Sequence, residues 1–289
     1  MRPLSFHRPT LVPSVILTVA TAAVAALLPA TSHAEDAPPA YSTSANLALV
    51  SQYKFRGIDQ TWGRPAVQGG ADLVAANGLY ACAWASNVSG NSYPGGSLEL
   101  DLYGGYNGKL DDDWSFTVGA YGYVYPGANV AHAACPSAAF PAPCSPPSKR
   151  LDTLELNAGI TWKWFAYKLS VTANDWFGAS AATGYSGSTR GTLYHDLSFA
   201  WPIDDRLGFV AHVGRTDVHA RYAGIDADVT DYRVALVRTF DGGWNLGASV
   251  AGAGNDRAYR PPLGGLSSAN GDTRAIDRAA FIVQAGRTF

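Results

Sequence analysis

Charged side chains recur at every second position of several segments that are otherwise apolar. Glu99 and Asp101 alternate with leucines in Leu98–Tyr103, and Lys168 lies at the same spacing in Phe165–Thr172. A period of two places the charges on one face of a β-strand and the apolar residues on the other. By this alternation, the following residues belong to polar faces: Lys54, Arg56, Glu99, Asp101, Glu155, Lys168 and Asp196. Charges of both signs can hydrate a path and set its ion preference, or can fill it with ion pairs.

The three cysteines separate into a pair and a single residue. Cys135 and Cys144 flank a proline-rich segment and predict a disulfide if the chain reaches an oxidising compartment. The bond would close a loop of about ten residues and stabilise the fold by about 2–3 kcal/mol. A metal site that includes His132 is the alternative, but it has too few ligands. Cys82 lies in mid-strand and is expected to be a small buried thiol, so thiol labelling of the unreduced protein should modify Cys82 alone.

The charged residues lie in segments that are long for strands of a soluble protein. We predict about twelve strands of roughly 9–11 residues, the length that a tilted membrane strand needs, whereas soluble strands are nearer to about 5–6. The predicted strands are 45–56, 65–76, 79–89, 97–107, 114–125, 151–162, 165–176, 191–201, 207–216, 230–240, 244–254 and 277–289. The expected fold class is all-β, a transmembrane antiparallel up-and-down barrel.

The connections between these strands alternate in length. Short ones such as 77–78 and 163–164 alternate with long ones such as 126–150 and 255–276. This asymmetry is typical of outer-membrane barrels, in which the short turns are periplasmic. An even number of strands then places both termini on the periplasmic side.

The N-terminal segment has the order of a secretory signal peptide. Arg2 and Arg8 precede the apolar stretch Val15–Leu28, and small residues follow up to Ala34. We predict cleavage after Ala34. The resulting division is a signal peptide at 1–34, a periplasmic linker at 35–43 and an outer-membrane barrel over 44–289.

The composition favours a surface that faces lipid. The chain has 31 glycines and 12% aromatic residues, but only 15% charged residues to solvate a soluble surface. Removal of Arg2 and Arg8 would leave 19 basic and 23 acidic residues. The charge balance therefore gives no reason to expect a nucleic-acid partner.

Enzyme motifs do not appear in the sequence. The segment 184–188, Gly-Tyr-Ser-Gly-Ser, departs from G-x-S-x-G at its last position. His195 falls on the apolar side of its strand, where a lipid hydrolase would need it, although a place at the barrel rim explains it more simply. Asp226, Asp228 and Asp231 could hold Ca²⁺, but a solvated acidic loop is the simpler interpretation. We expect no enzyme activity and no cofactor.

Several segments carry a resemblance to a known family. Ser51–Ile58 has the sequence S-Q-Y-K-F-R-G-I, and the similarity continues through Pro65–Gly70, Trp84–Val88 and Leu98–Tyr106 to 125–127. These segments resemble the TorF family of porin-type proteins, whose opening pattern is S-x-Y-x-F-R-G-I. The resemblance implies an outer-membrane barrel of porin type, and it supplies no catalytic residue and no solute.

These patterns together predict a porin-like channel for passive diffusion of small polar solutes, with lipid around it and with its oligomeric state left open. About eight strands give a barrel that side chains fill, while about 16–18 leave an aqueous channel. A barrel of twelve strands should therefore hold a narrow path, lined by Lys54, Arg56, Glu99, Asp101, Glu155 and Lys168. Two alternatives remain. One is a barrel with a blocked lumen that acts as a structural or surface-interaction protein, and the other is a lipid-modifying enzyme.

Overall fold

The computed structural model describes residues 40–133, 145–255, 257–260 and 272–289. The predicted signal peptide at 1–34, most of the predicted linker, and Cys135 and Cys144 lie outside the described residues. The cleavage after Ala34 and the disulfide therefore stay predictions. In the part of the chain that is described, no helix is long and apolar enough to cross a bilayer.

Twelve long strands form one closed antiparallel barrel, which confirms the expected fold class. Two further strands are short and pair only with each other. In chain order the strands are β1 (Tyr41–Val50), β2 (Lys54–Phe55), β3 (Ile58–Asp59), β4 (Ala66–Ala75), β5 (Leu79–Asn87), β6 (Leu98–Lys109), β7 (Trp114–Val124), β8 (Thr153–Trp162), β9 (Phe165–Thr172), β10 (Leu193–Pro202), β11 (Leu207–Asp217), β12 (Val229–Thr239), β13 (Trp244–Gly254) and β14 (Ala280–Thr288). Short 3-10 helices occur at Val130–His132, Trp176–Gly178, Ala181–Thr183 and Asp241–Gly243.

The first and last strands close the barrel. β1 pairs antiparallel with β14, in a register that sets Asn46 opposite Thr288 and Val50 opposite Gln284. Each of the other barrel strands pairs with its neighbours in the chain. Closure leaves no strand edge, and an unpaired edge in hydrocarbon would cost several kcal/mol for each backbone group.

The first strand is shorter than the sequence predicts. It was expected over 45–56, but β1 begins at Tyr41 and ends at Val50. Residues 51–65, named here the lumen loop, leave the wall and contain the hairpin of β2 and β3. Lys54 and Arg56 therefore belong to this loop and not to a barrel strand.

The outward face of the barrel is apolar. Large aliphatic side chains are exposed around it, among them Leu47, Leu49, Val67, Leu102, Val118, Leu156, Ile160, Val213, Leu236 and Leu246. Aromatic side chains are exposed at the end of the barrel that carries the short turns, named here the short-turn end: Trp114, Trp162, Trp164, Trp201, Phe240 and Trp244. An apolar band with an aromatic girdle is the outer surface of a barrel in a membrane. The opposite end carries the long connections and is named the long-loop end.

Candidate functional site

The lumen loop crosses the interior of the barrel near the long-loop end. The ring of Tyr53 packs edge-on against Trp84 of β5, with 5.6 Å between ring centroids. A few residues further on, Arg56 reaches Glu155 of β8, and its guanidinium lies 3.8 Å from the ring centroid of Tyr194 on β10. A single loop thus contacts walls on opposite sides of the lumen.

A tight turn gives the lumen loop its direction. Arg56 and Gly57 lie between the paired residues Phe55 and Ile58, and their φ angles are 46° and 74°. Two central residues with positive φ are the mark of a type I′ hairpin turn, which favours glycine. A Cβ atom at Gly57 would overlap the backbone carbonyl oxygen of Gly252. The Arg-Gly pair between apolar residues is the sequence signal for this hairpin, and the strand prediction missed it.

A buried ion pair fastens the lumen loop to the wall. Both terminal nitrogens of Arg56 donate to the Glu155 carboxylate, at 2.9 and 2.7 Å. The two side chains are 9% and 2% exposed. A bidentate pair of this kind has the geometry that makes charge-assisted hydrogen bonds strong. Because both partners are buried, loss of either would leave the other charge without compensation.

Lys54 also stabilises the lumen loop. Its Nζ donates to the backbone carbonyl oxygens of Gly57 and Ile276, at 3.0 and 3.1 Å. The residue is 8% exposed. Lys54 therefore stabilises the fold of the loop and connects it to residue 276 in the connection between β13 and β14.

Two acidic side chains lie side by side on the inward face of β6. Glu99 and Asp101 are fully buried and inward, as the alternation predicts. The hydroxyl of Tyr125 donates to Glu99 at 2.7 Å, and that of Tyr121 donates to Asp101 at 3.1 Å. Among the described residues, the second carboxylate oxygen of each acid has no hydrogen-bond partner. We name β6 with these two acids the carboxylate wall.

A different arrangement lies on β10, β11 and β12, named here the histidine wall. His212 lies between two buried carboxylates, with Nδ1 3.1 Å from Asp196 and Nε2 2.8 Å from Asp231. The hydroxyl of Ser198 donates to Asp196 at 2.7 Å, and the hydroxyl of Tyr194 lies 3.1 Å from His212 Nε2. Sequence reasoning missed this cluster, because its members lie on three strands and only the register brings them together.

Two basic residues on inward faces have no ion-pair partner within the described ranges. Lys168 lies on β9, opposite Asp196 in the strand register. Arg233 lies on β12, and its Nε is buried without a hydrogen-bond partner. Lys168 was predicted to line the lumen, whereas Arg233 was not. The alternation of Asp231 and Arg233 in Val229–Thr239 is the signal that could have found it.

The structure does not assemble the calcium ligands considered from the sequence. Asp231 is 1% exposed and lies on β12, so its assignment to the acidic loop was wrong. Asp228 forms an ion pair with Arg215 at 2.7 Å, and Asp226 accepts from the backbone N–H of Asp228. Across the described residues, no group of three or more His, Cys, Asp or Glu side chains could hold a metal ion.

His195 lies at the long-loop end of β10, close to the end of β11. Its Nδ1 is 2.8 Å from the hydroxyl of Tyr167, and its Nε2 is 3.5 Å from Asp217. These partners are a tyrosine and an aspartate, and neither is a serine nucleophile. The contacts fit a residue at the barrel rim.

A closed barrel of twelve strands with an apolar outer face and a charged interior defines the class of a membrane-spanning β-barrel of the outer-membrane type. The chain also matches, over residues 33–289, the family described as "Bacterial protein of unknown function (Gcw_chp)", and it belongs to this family. No curated protein sequence matches the chain significantly.

Several solved structures have a similar architecture. The KdgM porin in complex with disordered oligogalacturonate is 8% identical, with 85% of this chain and 98% of that chain covered and a TM-score of 0.48. The NanC porin is 12% identical, with 86% and 99% covered and a TM-score of 0.48. An outer membrane channel from Pseudomonas putida F1 is 14% identical, with 88% and 97% covered and a TM-score of 0.43. Similarities at this level carry no argument about solute or mechanism.

Proposed function

We propose that this protein is a porin-like channel of the bacterial outer membrane, with passive diffusion of small polar solutes through a narrow path that the lumen loop controls. In this proposal the short turns and both termini lie on the periplasmic side. The proposed lining remains the set nominated from the sequence, Lys54, Arg56, Glu99, Asp101, Glu155 and Lys168. Membership of this protein in the TorF family is part of the same proposal.

The lining at the short-turn end is the observation that carries the proposal. Ser115 and Asn245 are buried on inward positions there, but four other inward polar side chains are partly exposed: Ser44, Asn46, Asn157 and Thr161. Partly exposed polar side chains can form hydrogen bonds with water. In a filled barrel, by contrast, the interior side chains pack against one another and exclude water. This half of the lumen is therefore suited to a hydrated path.

The lumen loop sets the width of the path at the other end. Tyr53 and Arg56 fill the space between opposite walls, and the ion pair from Arg56 to Glu155 fastens the loop there. The loop therefore narrows the lumen that the twelve strands enclose. Conductance should therefore depend on this ion pair.

The same loop favours one alternative. A loop that stays fixed across the lumen would make the barrel a structural or surface-interaction protein with a blocked interior. The lipid-modifying alternative has less support, because His195 contacts Tyr167 and Asp217 where it would need a nucleophile.

Planar bilayer recordings of the folded barrel test the proposal. Wild-type protein is compared with R56Q, which removes the charge that fastens the lumen loop. R215Q is the matched control, since Arg215 is an exposed arginine near the long-loop end that pairs with Asp217 and Asp228. We expect wild-type conductance to be small, R56Q conductance to be several-fold larger or more often open, and R215Q to behave like wild type.

The outcomes separate the alternatives. If neither wild type nor R56Q conducts while both migrate as folded barrels, the channel proposal fails and the blocked barrel replaces it. If R215Q changes conductance as much as R56Q does, the lumen loop is not the controlling element. Phospholipid hydrolysis that disappears in H195A would instead support the enzyme.

A further inference from the structure

A cavity of about 290 Å³ lies above the lumen loop at the long-loop end. The lumen loop from Phe55 to Trp62 forms one side of the cavity. The other sides come from the connections after β5, β7, β9 and β13 and from the ends of β11 and β12. Arg56 is one of the lining residues, so a solute in the cavity lies beside the ion pair of Arg56 with Glu155.

Three polar atoms in residues that line the cavity lack hydrogen-bond partners. Ser92 Oγ, Trp176 Nε1 and Thr216 Oγ1 are buried and unpaired within the described structure. Thr216 is completely buried. Native proteins pair more than about 90% of their buried polar groups. Three of the unpaired buried groups in the described structure thus belong to residues around this cavity, where an occupant would supply their hydrogen bonds.

The three atoms also constrain the chemistry of that occupant. An indole N–H only donates, whereas the two hydroxyls can donate or accept. The occupant must thus offer at least one hydrogen-bond acceptor. A ligand that carries several hydroxyl groups should bind most tightly, because each hydroxyl can donate or accept. Aromatic rings of Tyr93, Trp176 and Phe177 provide apolar surface beside these atoms.

The charges around the cavity are already neutralised. Arg56 is held by Glu155, and Asp59 accepts from Arg274 at 2.9 Å. A charged ligand would find no free counter-ion among these groups, and it would lose its hydration on entry. The site is therefore suited to a neutral ligand.

We propose that this cavity is a binding site for a neutral, hydroxyl-rich solute of about one sugar ring, the first station for entry into the channel. The size follows from the volume, since ligand pockets usually measure roughly 300–1,000 Å³ and this one lies at the lower limit. The role of this cavity as an entry site rests on the proposed channel function. Binding to the cavity is measured independently of conduction.

Calorimetric titration of the folded full-length barrel in detergent provides the test. Glucose, glucuronate and glucosamine are used as neutral, anionic and cationic probes of one ring size. We expect saturable binding of glucose and at least tenfold weaker binding of the two charged sugars.

Two variants each remove one hydrogen-bonding group, T216V with little change of shape and W176F with a smaller ring. T216V removes the Thr216 hydroxyl, and W176F removes the indole N–H while keeping an aromatic ring. Each should weaken glucose binding by about fivefold, the effect of one neutral hydrogen bond. T161V makes the same change as T216V at the short-turn end and should leave glucose affinity unchanged.

The results distinguish failure of the site from failure of the channel. Absence of glucose binding by a barrel that conducts would overturn the site and leave the channel standing. Binding that T216V weakens in a barrel that does not conduct would keep the site and overturn the channel. Tighter binding of a charged sugar, or an equal effect of T161V, would contradict the proposed ligand class or position.

Discussion

Glu99 and Asp101 on the carboxylate wall and Asp196 and Asp231 on the histidine wall are almost equally buried, yet their partners differ. On the histidine wall, one His212 side chain lies within 3.1 Å of both carboxylates. On the carboxylate wall, tyrosine hydroxyls bond one oxygen of each acid, and the described residues provide no cation.

The difference assigns separate roles to the two walls. Both ring nitrogens of His212 face carboxylate oxygens, which only accept hydrogen bonds, so His212 bonds both acids as the protonated, cationic form. Removing this cation would leave buried charge uncompensated. The acids of the carboxylate wall have no cationic partner among the described residues, so they remain available to interact with an ion in the lumen. We therefore expect the histidine wall to control stability and the carboxylate wall to control ion preference.

The largest effect should come from H212L. It leaves Asp196 and Asp231 without their shared partner, and the free energy of unfolding should fall by about 3–5 kcal/mol. Urea unfolding of the barrel in lipid vesicles, followed by tryptophan fluorescence, measures the loss. H195L is the control, because that histidine is part of an exposed rim contact expected to contribute about 1 kcal/mol or less. Equal losses in both variants would remove the distinction between buried and rim histidines.

A smaller effect is expected where the lumen loop packs against β13. G57A places a Cβ against the Gly252 carbonyl and adds strain at φ +74°, so it should destabilise the barrel by about 1–3 kcal/mol. G224A is the matched control, since Gly224 has φ +77° and nothing within 4 Å of its Cβ position. The excess loss in G57A over G224A measures the packing of the loop, and no excess would mean that the loop is not held against β13.

The double variant E99Q/D101N should change selectivity more than stability. Unfolding free energy should stay within about 1 kcal/mol of wild type, because the tyrosine hydroxyls can still donate to amide oxygens. The reversal potential in a salt gradient should shift toward anion preference. K168Q/R233Q should shift it toward cations, and a reversal potential that moves in neither variant would show that these residues do not line the path.

The sequence predicts that replacing Glu155 with Gln alongside Glu99 and Asp101 adds to the anion shift, and that replacing Lys54, Arg56 and Lys168 with Gln produces the opposite shift. The structure separates these groups, because Arg56 and Glu155 bind each other. Their replacement should therefore also release the lumen loop.

The smallest effect should come from an ion pair outside both walls. Lys149 and Asp175 connect two long loops, with 2.7 Å between Nζ and Oδ2. Burial opposes the shift, but hydrogen bonds from Lys149 and Ser188 hold the pKa of Asp175 below its usual range. The stabilisation is thus complete above the usual aspartate pKa of about 3.9 and is lost as the pH falls through the lowered value. We expect less than about 1 kcal/mol, observable as a lower amide protection factor of Thr189 in acid, whereas the protection factor in D175N should show no such pH dependence.

The sequence by itself determined most of the strands and their polar faces. Alternation identified the long strands, the short and long connections, and the inward position of Glu99, Asp101, Glu155 and Asp196. This succeeds because the face of a strand residue depends on local chain geometry with a period of two. Lipid outside and a polar interior then require the same alternation in every barrel strand.

Only the tertiary structure decided which charges are partners. Arg56 meets Glu155 across 99 positions of the chain, and His212 meets Asp196 and Asp231 from neighbouring strands. The segment K-F-R-G-I fits a strand by alternation, but the Arg-Gly turn directs it into the lumen, where the opposite wall supplies its partners. Strand register and the inward course of a loop depend on contacts between residues that are distant in sequence, and local periodicity contains no information about those contacts.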